Sequence, residues 1–157
     1  MIALGERSEE TVRIYFSRAQ QPMIKAVLPQ KAQTVEEALA DYQATLLPSA
    51  RSYGRTILVD GRSVGDIWCY GLNRDEEPNA MLSYCLFEPA YWGKGIATRA
   101  VGMFLEEIRV KFGIQTIGAF TFADHAASIR VLEKNGFCLM EEFAEEGRRS
   151  KYFQRGF

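Results

Sequence analysis

Tyr91-Trp92-Gly93-Lys94-Gly95-Ile96-Ala97-Thr98 joins two runs of opposite character, and its reading decides the fold. Residues 80–87, ahead of it, are short, almost wholly apolar and strand-like. Residues 96–111, behind it, repeat apolar side chains at helical spacing. Ala100, Val101, Phe104, Leu105 and Ile108 share one face, and Glu106, Glu107 and Arg109 lie on another. Two glycines one residue apart let the backbone turn sharply between the two. With no side chains there, the N–H groups of the turn can point outward. The following helix adds its unpaired first-turn N–H groups and the positive end of its dipole. Strand, glycine turn and helix N-terminus together make an anion site, usually for a phosphate or pyrophosphate. A plain tight turn between packed elements would use the same string, so the string alone leaves both readings open.

The bulk properties narrow the setting. A chain of 157 residues with 47% apolar and 25% charged residues is expected to form one domain, 1–157, with its own core. A net charge of −1 gives no field to draw the protein to nucleic acid or an acidic membrane. Cys69, Cys85 and Cys138 lie in apolar runs, without Cys-x-x-Cys or histidine clustering. They read as buried free thiols of a cytoplasmic protein, with neither a disulfide framework nor a metal site. No apolar run is long enough for a signal peptide or a membrane span.

Around the central junction, the rest of the chain divides into short elements. Residues 1–10 read as a loose polar lead and 11–16, by alternation, as a strand. Ser17 is placed to cap a helix over 18–27, ended by Pro29. Thr34-Val35-Glu36-Glu37 has the capping-box form and opens a second helix to about Leu47. Residues 52–59 and 63–70 flank Asp60-Gly61 as a hairpin, and 71–79 form an exposed loop. Residues 115–122 are a strand, and 124–135 a helix with Asp124 as cap and Asn135-Gly136 as stop. Strands over 137–143 and 151–157 surround Glu145-Glu146-Gly147. The order predicts an α/β, or α+β, mixed sheet with helices on its faces. Strands 80–87 and 115–122 should run parallel through the helix between them. The glycine pattern lacks both the distal glycine of a dinucleotide fingerprint and the Gly-Lys-Ser/Thr of a nucleoside triphosphate loop.

With that order, two stretches are similar to the GCN5-related N-acetyltransferase (GNAT) superfamily, and within it to the branch that modifies ribosomal-protein N-termini. Residues 91–97 resemble its Gln/Arg-x-x-Gly-x-Gly/Ala pyrophosphate loop. Ala127-Ser128-Ile129-Arg130-Val131-Leu132-Glu133-Lys134-Asn135-Gly136-Phe137 resembles its Asn-x-x-Ser-x-x-x-x-Glu-Lys-x-Gly-Phe helix and turn. The resemblance implies a mostly antiparallel sheet of six to seven strands with two parallel strands splayed apart. It also implies a transferase that moves an acetyl group from acetyl-CoA (coenzyme A) to a primary amine, on a protein N-terminus or a small molecule, by direct attack. A homodimer is the expected assembly if the chain oligomerises.

The same resemblance distributes roles. Gly93, Lys94, Gly95, Ile96, Ala97 and Thr98 would hold the pyrophosphate, with Lys134 as a further phosphate contact. The backbone of Cys85, Leu86 and Phe87 would bind the pantetheine arm, joined by His125, which stands where the family has Asn. Ser128 would protonate the departing thiolate. Leu132 occupies the place of a tyrosine that does this in some members. The family's strand glutamate is replaced by Met81, leaving Asp66 and Glu88 as candidate bases. The plain alternatives are a solvent-facing Asp66, a back-bonded Ser128, a capping His125 and solvated lysines. Without a base or that tyrosine, a non-catalytic acyl-CoA-binding sensor or scaffold is the rival reading.

Overall fold

A computed structural model describes residues 1–157. Seven strands form one sheet in the order β1-β2-β3-β4-β5-β7-β6. The strands are β1 Ile2–Gly5, β2 Tyr53–Val59, β3 Arg62–Asn73, β4 Asn79–Leu86, β5 Thr116–Phe122, β6 Cys138–Glu145 and β7 Arg148–Gly156. The helices are α1 Glu9–Arg18, α2 Pro22–Lys25, α3 Val35–Thr45, α4 Ile96–Phe112 and α5 Ala126–Lys134. Every pairing is antiparallel except that of β4 with β5, the parallel pair expected around α4. β4, the most apolar run, is the central strand.

Alternation along β3 assigns the two faces of the sheet. Ile67 and Cys69 enter the main core, where Ala100, Val101, Phe104, Leu105 and Ile108 of α4 pack with Leu132 of α5. Asp66 and Trp68 turn to the other face, beneath α1, where Tyr15 packs edge-on against Trp68 and Phe87. Helices therefore cover both faces. Asp60 and Gly61 both take positive φ, 51° and 80°, as a two-residue hairpin turn demands.

The N-terminal third departs from expectation. Residues 2–5 are a strand pairing with β2, not a loose lead. The run 11–16 lies inside helix α1, because Ser8 accepts from the Thr11 N–H while the Thr11 hydroxyl accepts from the Ser8 N–H. That reciprocal cap starts a helix at Glu9, two residues before the alternating stretch. Ser17 is consequently inside α1, and the segment expected as helix 18–27 holds the last residue of α1, Arg18, and the single turn α2. Thr34 caps α3 through the Glu37 N–H as expected, although Glu37 reaches back to the Gln33 N–H. Helix α5 is capped at His125, not Asp124. Cys69 and Cys85 are buried and Cys138 is exposed, contrary to the expectation that all three are buried.

Candidate active site

β4 and β5 pair only through Asn79–Thr116, Ala80–Ile117 and Met81–Gly118, and then separate. The parity of β4 decides which backbone groups face the resulting gap. Phe87 N–H donates to Val64 C=O at 3.0 Å. In the unbroken β3–β4 register, the odd-numbered residues of β4 therefore bond to β3. The N–H and C=O groups of Leu82, Tyr84 and Leu86 are left facing β5, beyond the reach of its ladder. Of the three residues expected to offer backbone to a ligand, only Leu86 is free to do so. Cys85 lies opposite Asp66 in the hydrogen-bonded set. Phe87 has its N–H on Val64 and its C=O on Gln21 Nε2, at 3.1 Å. The Trp92 indole N–H donates to the Leu86 C=O at 2.9 Å, leaving the Leu86 N–H as the strand's last open donor.

Beyond β4, a turn over Pro89–Tyr91 leads into the glycine loop. Gly93 and Gly95 sit at φ +71° and +77°, and a Cβ built on either meets no atom within 4 Å. The loop is thus open to the outside. None of the N–H groups of residues 93–98 donates to a protein acceptor, and the first bond of the helix is Arg99 N–H to Gly95 C=O. A continuous row of unpaired donors at a helix N-terminus, beside a gap lined by unpaired strand backbone, fits a phosphate group followed by an extended chain.

The second motif is held against the first. The Asn135 Nδ2 donates to Thr98 C=O at 3.1 Å and to Val131 C=O at 2.9 Å, tying the end of α5 to the first turn of α4. Gly136, at φ +83°, lets Phe137 N–H return to Leu132 C=O and close the helix. Lys134, in the last turn, is exposed, as is Lys94. Ser128 lies one turn into α5 and shares a 2.8 Å hydrogen bond with the Tyr84 hydroxyl, which also lies 3.3 Å from Ser128 C=O. Burial pushes the Tyr84 pKa up to about 12, so the phenol keeps its proton. This pair bridges the separated strand and helix on the α4 face. His125 makes no side-chain cap bond, and its burial favours the neutral imidazole, against the pull of Asp124.

The two candidate carboxylates lie elsewhere. Asp66 is 8% exposed on the α1 face, not in solvent. It accepts from Arg7 Nη2 at 2.5 Å and Nε at 3.3 Å. Burial raises its pKa to about 6, with Arg7 opposing. Glu88 pairs through Oε1 with Arg18 and Arg62 at 3.1 and 3.5 Å, also beneath α1. Neither the Tyr84–Ser128 bond nor the Asn135 clamp is readable from spacing, since each joins residues far apart in sequence. Asn135 announces itself only as a helix stop.

No helix is long and apolar enough to cross a membrane. No curated protein sequence matches the chain significantly. Solved structures match its fold throughout. A spermidine N-acetyltransferase from Vibrio cholerae, in complex with CoA and spermine, has a TM-score of 0.87 at 13% identity, over 99% of this chain and 95% of that one. The RimL ribosomal L7/L12 α-N-protein acetyltransferase with coenzyme A has a TM-score of 0.84 at 17% identity, over 99% and 93%. The aminoglycoside acetyltransferase AAC(6')-Ib with coenzyme A has a TM-score of 0.81 at 16% identity, over 99% and 95%. The sequence profile of the acetyltransferase (GNAT) domain spans residues 6–138, which takes in the glycine loop, the β4–β5 gap and α5. The chain belongs to the acetyltransferase (GNAT) domain family.

Proposed function

We propose that the chain transfers the acetyl group of acetyl-CoA to a primary amine in a ternary complex, in the manner of the ribosomal-protein N-terminal branch. The row of unpaired N–H groups over residues 93–98, at the mouth of the β4–β5 gap, carries this reading. Acetyl-CoA, when bound, supplies the thioester whose C–S bond breaks as the amine nitrogen attacks the carbonyl carbon. The chain's part is placement and polarisation. Residues 93–98 hold the pyrophosphate through backbone donors, with Lys94 and Lys134 adding charge. The Leu86 N–H polarises the acetyl carbonyl, and neutral His125 lies beside the pantetheine arm. Ser128 donates a hydrogen bond to the departing sulfur. A thiolate is a far weaker base than an alkoxide, so the serine keeps its proton and the amine's proton neutralises the sulfur. Three free cysteines suit a reducing cytoplasm.

Tyr84 acts through Ser128. In this reading the Tyr84 hydroxyl is the donor of the shared 2.8 Å bond, which leaves the serine proton free to turn outward. Tyr84→Phe should lower kcat about five- to tenfold, the worth of one neutral hydrogen bond, with KM for acetyl-CoA unchanged. Ser128→Ala should cost more, and Tyr84→Phe should add nothing on top of it. Equal effects of Tyr84→Phe in both backgrounds would remove Tyr84 from this role.

Asp66 and Glu88 are both held by arginines, which supports a reaction without a dedicated base and is also what favours the binding-module reading. Thiol release against a panel of peptides, polyamines and aminoglycosides separates the two. Turnover is expected, with kcat/KM rising with pH along the acceptor's own titration. Saturable binding without turnover on any amine assigns the sensor or scaffold. An inflection near pH 6 that vanishes in Asp66→Asn would instead make Asp66 the base.

A further inference from the structure

Between α1 and the β2–β3 turn, a cavity of about 430 Å³ opens at the end of β4, lined by Arg13, Ser17, Arg18, Arg62, Ser63 and Glu88 among others. Three arginines and one glutamate line it. Glu88 Oε1 receives both ion pairs, while Arg13 makes none. In a chain of net charge −1 the lining carries a formal +2, from three arginines less one glutamate. The Arg18 and Arg62 side chains are 49% and 60% exposed, so both remain accessible from solvent. Glu88, at 15%, is the more enclosed partner. The reaction above uses none of this, because Tyr84 and Ser128 meet on the opposite face of the sheet.

We propose that this cavity is an oxyanion subsite, binding a carboxylate or phosphate group on the forks of Arg13, Arg18 and Arg62. A planar guanidinium presents paired donors that match either group. Glu88 accepts from Arg18 and Arg62 and so competes with a ligand for the same donors. A polycation is repelled from such a lining. The acidic loop that could attract one, Asp75-Glu76-Glu77, joins β3 to β4 at the far end of the sheet from the glycine loop. Two ligands of the proposed reaction carry the required group. One is an acidic acceptor reaching the gap from the α1 side. The other is the 3′-phosphate of coenzyme A, whose pyrophosphate would lie in the loop that follows Glu88. The choice between them rests on the acetyltransferase reading; the subsite does not.

Inorganic phosphate titrated into the full chain should shift the side-chain N–H resonances of Arg13, Arg18 and Arg62 saturably. Arg18→Gln/Arg62→Gln should weaken this binding about tenfold or more, from the loss of charge-assisted bonds, in a protein whose thermal melt shows that it still folds. Gly95→Val, which acts at the other phosphate site, should leave those shifts intact. Glu88→Gln should tighten phosphate binding, whereas a merely structural Glu88 would make its loss weaken binding. Two further arms name the source. A double variant that binds CoA less well but dephospho-CoA normally assigns the 3′-phosphate. One that raises KM for an Asp-containing peptide but not its Asn counterpart assigns the acceptor. No arginine shift with phosphate overturns the subsite, and an unchanged response in both arms overturns its tie to the reaction.

Discussion

Gly95→Val should abolish acetyl-CoA binding while leaving a folded protein. Gly95 is the N-cap of α4 at φ +77°, a region that costs an L-residue about 1–2 kcal/mol and a β-branched one more. A Cβ there meets no protein atom, so the fold bears backbone strain and no clash. The space the new side chain enters is the space in front of the unpaired N–H groups. A pyrophosphate held by several charge-assisted bonds, each worth about 1.5–3 kcal/mol, would lose more than a hundredfold in affinity. Gly113 supplies an internal comparison. It ends the same helix at φ +66°, also with nothing near its Cβ. Gly113→Val should cost similar stability and spare binding. Calorimetry with acetyl-CoA and thermal melts on both variants measure the two effects separately, and equal affinities would refute the loop as the anion cradle.

The features that could be read ahead of the structure are those written in local chemistry. Asp60-Gly61 fixes a turn because few dipeptides accept positive φ twice. Thr34 fixes a helix start because its hydroxyl needs only the N–H three residues on. Gly93 and Gly95 fix the loop because only glycine leaves that space empty. The misplaced strand over 11–16 fails for a related reason: Val12, Ile14 and Phe16 alternate by chance inside a helix whose cap, Ser8-x-x-Thr11, replaces the usual glutamate with threonine. The candidate bases fail differently. The polar side chain at 66 fits solvent or a buried partner equally well, and the partner is 59 residues away in sequence. Backbone parity is likewise invisible in composition, so the sequence does not separate Cys85 and Phe87, whose donors serve β3, from Leu86.

Arg7→Ala should destabilise the protein by about 3–5 kcal/mol, the cost of stranding a buried charge without its partner. The Arg7 guanidinium forks onto Asp66 and lies over the Trp68 ring, 5.7 Å from its centroid. β2 makes room for it with Gly54, where a Cβ would come within 2.1 Å of the guanidinium carbon. The pair pins the segment between β1 and α1 to the middle of the sheet, and the Tyr42 hydroxyl secures the same segment by donating to Arg7 C=O at 3.1 Å. The loss should depend on pH. Even with Arg7 present, burial holds the Asp66 pKa near 6, above the ordinary 3.8. The folded protein therefore binds the extra proton between those values, and stability falls as pH rises through that window by about 3 kcal/mol. Without Arg7 the folded pKa rises further and the window widens upward, so the deficit of Arg7→Ala should be smaller at pH 5 than at pH 8. Asp66→Asn should remove most of this slope, and Asp66→Asn combined with Arg7→Ala should recover part of the stability lost by Arg7→Ala alone at pH 8. Urea unfolding of the four proteins at both pH values reads these differences. A deficit independent of pH, or below about 1 kcal/mol as for an exposed ion pair, would place the Arg7–Asp66 contact among ordinary surface bridges.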